Sequence, residues 1–131
     1  MTTRGETPVR AVYVSSKLRH RDKWLATGLP IISTWIHGKE LPPSECSAMW
    51  DRYRAEVHAC DGFVLYAEPD DHLKGCLIEM GIAFGLGRPI VVVWDGAIEA
   101  LAAKIGTIAY HQSVTVVSTT EQAVAIMTAG V

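Results

Sequence analysis

The chain has 131 residues, enough to bury one core and too few for two domains of ordinary size. Twelve Lys and Arg against 14 Asp and Glu give a formal net charge of −2, which removes the drive for non-specific binding to polymeric nucleic acid or a membrane surface. A small anionic ligand stays open, since it needs only a local pocket. Cys46, Cys60 and Cys76 are an odd count without CxxC spacing, so neither a disulfide nor a zinc framework is expected, and no metal or cofactor. The opening MTTRGETPVR lacks the apolar centre of a signal peptide, and no apolar run reaches membrane-spanning length, so the expected location is cytoplasmic.

In chain order, residues 1–9 are polar and read as a flexible N-terminus, and residues 10–131 as a single domain. RAVYVS, from Arg10 to Ser15, predicts a first strand rich in β-branched and aromatic residues. A helix is expected from Ser16 to Thr27, with Leu18, Trp24, Leu25 and Ala26 as apolar positions and Gly28 ending it. Pro30 opens a second predicted strand, Ile31 to Ile36. After the loop HGKELPP, Ser44 and Ser47 offer a cap region for a helix reaching about Cys60, with Met49, Tyr53, Val57 and Cys60 at helical spacing.

Phe63 to Ala67 reads as a third strand, and the acidic turn EPDDH follows it. Next come a helix stopped by Gly87 and a near-continuous apolar run, Pro89 to Trp94, the mark of a strand covered on both faces. A short helix over Ala97 to Ile105, a fifth strand over Val114 to Val117 and a helix over Glu121 to Met127, capped by Thr119 or Thr120, complete the chain. This alternation predicts an α/β fold: a doubly wound, parallel, five-stranded Rossmann- or flavodoxin-like sheet in the order 2-1-3-4-5. Ligands of such sheets sit outside the carboxyl ends of the strands at the switch in strand order, here between the first and third.

One carboxylate stands out. From Gly75 to Gly87 the helix carries no charge other than Glu79, whose face-mates at three and four residues are Gly75, Cys76, Ile82 and Ala83. A carboxylate among such neighbours loses hydration, which costs energy unless it is paired or performs chemistry. Around the predicted crevice, Ser15 and Ser16 sit where backbone amides and a helix start would accept an anion, and Lys17 and Arg19 add charge. A solvated basic face explains Arg21 and Lys23; for Ser16 and Arg19 both readings stay open. The loop has neither GxGxxG nor GxxxxGK[ST], so no dinucleotide or P-loop site is supported.

Tyr13, near the carboxyl end of its strand, is either a core tyrosine or a hydroxyl within reach of a carboxylate. Lys74 and Gly75 open the Glu79 helix and are candidate anion contacts. Trp35 is the tryptophan best placed to stack on a base, packing under its loop being the alternative. Asp70, Asp71 and His72 read as turn residues and not as a metal site.

The runs YVSSKLR, STWIHG, ACDGFVLYAEPDD and KGCLIEMGIAFGLGRPIVVV, in that order, make the chain resemble the nucleoside 2-deoxyribosyltransferase family, which includes the 2′-deoxynucleoside 5′-monophosphate N-glycosidases. The resemblance spans Arg10 to Trp94 and is most specific over Gly75, Glu79, Gly81, Ala83, Gly87 and Pro89. It implies cleavage or transfer at the N-glycosidic bond of a small nucleoside or nucleotide. It places the family's nucleophile on Glu79, its first-strand tyrosine on Tyr13 and its 5′-phosphate loop on Ser16 to Arg19. It also implies a homodimer or higher homo-oligomer. The family's aspartate before the third strand falls on Tyr53. Asp51 is turned to another face, while Glu56, one turn on, either takes the acid's place or the acid is missing. A nucleotide-binding or sensing domain without catalysis is the alternative function.

Overall fold

Hydrophobic burial on both faces selects the strands of this chain. The computed structural model describes residues 9–130, and four short runs within them pair as one parallel sheet: β1 (Val12–Ser15), β2 (Gly62–Tyr66), β3 (Ile90–Val93) and β4 (Val114–Val117), in the order β1-β2-β3-β4. Tyr13 lies opposite Phe63, Val64 opposite Val91 and Val92 opposite Val116. Every residue of the first three strands is buried, whereas β4 is partly exposed at its edge.

Side chains alternate along each strand, so the sheet builds two cores. Tyr13, Phe63, Leu65, Ile90 and Val92 pack with Val57 and Cys60 at the end of α2 (Pro43–Ala59), Cys76, Met80 and Ala83 of α3 (Lys74–Gly85), and Leu101 and Ile105 of α4 (Ile98–Ile105). Val12, Val14, Val64, Tyr66, Val91 and Val93 pack with Trp24 of α1 (Arg21–Leu25) and with Ala123 and Met127 of α5 (Thr120–Ala129). Helices therefore cover both faces. The loose stretch expected over residues 1–9 lies outside the described residues except for Val9, which is buried and donates its N–H to Met127 O at 3.2 Å.

Among the described residues the predicted second strand, Ile31 to Ile36, does not form, and the expected 2-1-3-4-5 order shrinks to four strands. Ile31 makes a single parallel bridge to Val12, through Val12 N–H to Pro30 O and Ile32 N–H to Val12 O. Beyond that point side chains satisfy the edge of β1: Ser33 Oγ accepts the Val14 N–H at 3.1 Å, and the Trp35 indole N–H donates to Val14 O. Thr34 is drawn to Glu56, and the chain turns into a 3-10 helix over Thr34–His37. An edge whose polar groups are already paired has no use for a strand.

The first helix is also shorter than expected. A 3-10 turn at Leu18–His20 precedes the five residues of α1, and only Trp24 of the four expected apolar positions is buried; Leu18, Leu25 and Ala26 are exposed. α2 begins with Pro43 at its first position and has no side-chain cap, so neither Ser44 nor Ser47 serves there. Gly87, at φ +72°, ends α3 in the left-handed region, with Arg88 N–H returning to Ala83 O. Thr119 caps α5 in a capping box: its hydroxyl accepts Gln122 N–H while Gln122 Oε1 accepts the Thr119 N–H. Thr119→Ala is expected to cost about 1 kcal/mol in urea unfolding with an unchanged m-value. Among the described residues, no helix is long and apolar enough to cross a membrane.

Candidate active site

Tyr13 and Ser15 are two residues apart on β1, so both side chains leave the same face, the one that α3 crosses. Glu79 meets them there. The Tyr13 hydroxyl donates to Glu79 Oε2, and the Ser15 hydroxyl donates to Oε1 at 2.6 Å. The carboxylate is 6% exposed and each of its oxygens holds one donor, the pattern of an ionised acceptor. Burial raises the Glu79 pKa by more than the Ser15 and Tyr13 bonds lower it, and the charge of Glu56 adds to the rise. Tyr13 stacks on Phe63 with ring centres 5.5 Å apart, and burial together with the Glu79 charge pushes its phenol far up, so it remains a donor.

Glu79 opens into a pocket of about 450 Å³. Its walls are Ser16, Lys17 and Leu18 after β1, Trp35 and the loop residues Lys39, Glu40 and Leu41, one face of α2, and Gly75, Cys76 and Glu79 of α3. This volume suits a ligand of nucleotide size. Gly75 leaves room for Trp50, whose ring would lie 3.5 Å from a Cβ placed there. Cys76 is no rival nucleophile, since burial pushes its thiol up to about 11. All three cysteines are free.

A larger cavity, about 610 Å³, lies on the other face of the sheet between Lys23, Tyr66, Asp95 and Glu121. Both carboxylates there are exposed and keep ordinary hydration, so the smaller pocket is the one with a carboxylate under tension. No protein-family model matches the chain, and no curated protein does. Among solved structures, the Clostridium botulinum CMP N-glycosidase BcmB is similar at 15% identity and a TM-score of 0.48, over 88% of this chain and 94% of that one.

The remaining expected site residues divide. Ser16, Lys17, Trp35 and Gly75 line the pocket with Glu79. Lys74 is exposed and outside its lining. Arg19 is also outside, because the acidic turn claims it: its guanidinium donates to Asp71 at 2.7 and 3.1 Å and to Asp70 at 3.0 Å. Glu56 is likewise committed elsewhere, its two oxygens accepting the Thr34 N–H at 3.0 Å and the Thr34 hydroxyl at 2.7 Å. The wall supplied by α2 went unread in the sequence. Its signal is the spacing of Cys46, Met49, Trp50 and Tyr53, a stripe at three, four and seven residues that faces the pocket.

Asp71 ties the turn to the loop after β1. It is buried, accepts the Glu68 N–H at 2.9 Å and lies 3.1 Å from His20 Nε2. Burial alone would raise its carboxyl, but the bonds from Arg19, the Glu68 N–H and His20 together hold it below the ordinary value. Asp71→Asn is expected to cost about 1–2 kcal/mol at pH 7, the half-exposed Arg19 limiting the loss. A lowered carboxyl contributes stability above its unfolded pKa. The wild-type margin is therefore complete above about pH 5 and shrinks as the pH falls below about 4, which urea titrations at stepped pH will resolve.

Proposed function

We propose that the protein cleaves the N-glycosidic bond of a small nucleoside, deoxynucleoside or nucleoside 5′-monophosphate, with Glu79 as nucleophile. The observation that carries this reading is the buried Glu79 carboxylate, held by Tyr13 and Ser15 and open on one side to a pocket of nucleotide size. Breaking a glycosidic bond builds positive charge at C1′, which a carboxylate at contact distance traps as a glycosyl ester; water then hydrolyses that ester. A carboxylate whose pKa is raised is the more basic and the better nucleophile once ionised, and its two donors fix which lone pair is free. Trp35, Trp50 and Tyr53 offer aromatic surface to a base, and Lys17 and Lys39 offer positive charge to an anionic group.

Incubation with a panel of nucleosides and their 5′-monophosphates, followed by chromatography for free base, tests the proposal. Base release from at least one member is expected, and a new nucleoside on addition of a second base would mark transfer in place of hydrolysis. Ligand binding without any base release would assign the pocket to nucleotide sensing.

A further inference from the structure

A departing base leaves with the electron pair of the broken bond on its ring nitrogen, and a proton delivered there is worth two to four orders of magnitude. Glu79 attacks from the sugar side and cannot supply that proton. Glu56, the carboxylate one helical turn on from the expected acid position, has both oxygens occupied by Thr34 and does not line the pocket. Tyr53 does line it, on the α2 stripe, and it also borders an adjoining cavity of about 330 Å³ together with Lys39, Leu41 and Arg52.

We infer that Tyr53 is the catalytic acid that protonates the leaving base, an inference that rests on reading the pocket as an N-glycosidase site. Arg52 lies over the Tyr53 ring, its guanidinium carbon 5.5 Å from the ring centre, and its positive charge favours the phenolate that forms when the proton leaves. That arginine is itself held in place: its Nε–H donates to Thr34 Oγ at 3.1 Å, and the Thr34 hydroxyl donates to Glu56. Glu56 thus becomes a positioning residue, acting through Thr34 and Arg52. Burial keeps the phenol above its ordinary pKa although Arg52 lowers it, so the proton is present at neutral pH.

The step balances. A Glu79 oxygen bonds to C1′ as the C1′–N bond breaks, the electron pair goes to the base nitrogen, and the Tyr53 proton follows it. In the second half a water oxygen bonds to C1′, the Glu79–C1′ bond breaks to return the carboxylate, and the phenolate takes the water's proton.

The test compares Tyr53→Phe with wild type on the base that the panel shows to be released, using ring-substituted analogues of graded leaving-group acidity, such as 5-fluoropyrimidine or 7-methylpurine nucleotides. The expected result is a loss of about 100-fold on the least acidic leaving group, shrinking to within about twofold on the most acidic, which departs without a proton. A uniform loss across the series, or no loss at all, overturns the role of Tyr53 while leaving the Glu79 reading intact. Absence of release by wild type from every substrate overturns the reading of the pocket and this inference with it.

Discussion

Glu79→Gln is expected to lower base release by at least about a thousand-fold and to leave the fold as stable as wild type or more so. The loss of rate follows because an amide is no nucleophile towards C1′, and the other groups of the pocket do not substitute for it. The stability follows from the cost of the site. Glu79 is buried, and its pKa is raised above the ordinary carboxyl value by burial in excess of its two hydrogen bonds. A carboxyl that holds its proton more tightly folded than unfolded stabilises the fold at low pH and gives that stability up as the pH rises through the interval above its ordinary value. An ionised Glu79 carries the cost of a buried charge; a glutamine carries no charge, while its carbonyl and amide still meet the Ser15 and Tyr13 hydroxyls, which accept as well as donate. Thermal melts should therefore show Glu79→Gln level with or above wild type at pH 7, with any gap closing as the pH falls towards 4. Base release that survives the substitution would refute the mechanism.

What made this residue legible in the sequence also explains what stayed hidden. Glu79 stands out because α3 is otherwise uncharged, and its meeting with Tyr13 follows from a helix crossing the inward face of a parallel strand. β3 and β4 were legible for a similar reason, as apolar or β-branched runs bounded by turn residues. The false second strand failed on information that no local pattern holds. Ile31 to Ile36 has the composition of an edge strand, yet Ser33 and Trp35 use their side chains to close the edge of β1. For Arg19 the neighbouring residues leave an anion ligand and a solvated basic face both open, and its partners Asp70 and Asp71 lie about fifty residues downstream, beyond any local pattern. The pocket stripe on α2 was hidden by its own chemistry. Met49, Trp50 and Tyr53 are core-like residues, and a helical spacing says which side chains share a face without saying whether that face meets protein or a cavity.

Removing a single donor from the nucleophile should move the pH dependence and not the rate alone. In Tyr13→Phe the Glu79 Oε2 loses its hydrogen bond and Oε1 keeps Ser15. The Tyr13 bond lowers the Glu79 pKa, so its loss lets burial raise that pKa further. The nucleophile acts only when ionised, so kcat/KM rises with pH through the Glu79 pKa, and the acidic limb of the profile should shift to higher pH in the variant. On the plateau, where Glu79 is ionised in both proteins, about a tenfold to hundredfold loss is expected from a less firmly oriented carboxylate. Ser15→Ala offers the matching control: its bond also lowers the Glu79 pKa, so the limb should move in the same direction. The phenyl ring of the Phe variant keeps the stacking surface of Tyr13 against Phe63, which limits the cost in stability to the lost bond. A plateau loss with an unmoved acidic limb would mean that Tyr13 acts on the substrate and not through Glu79.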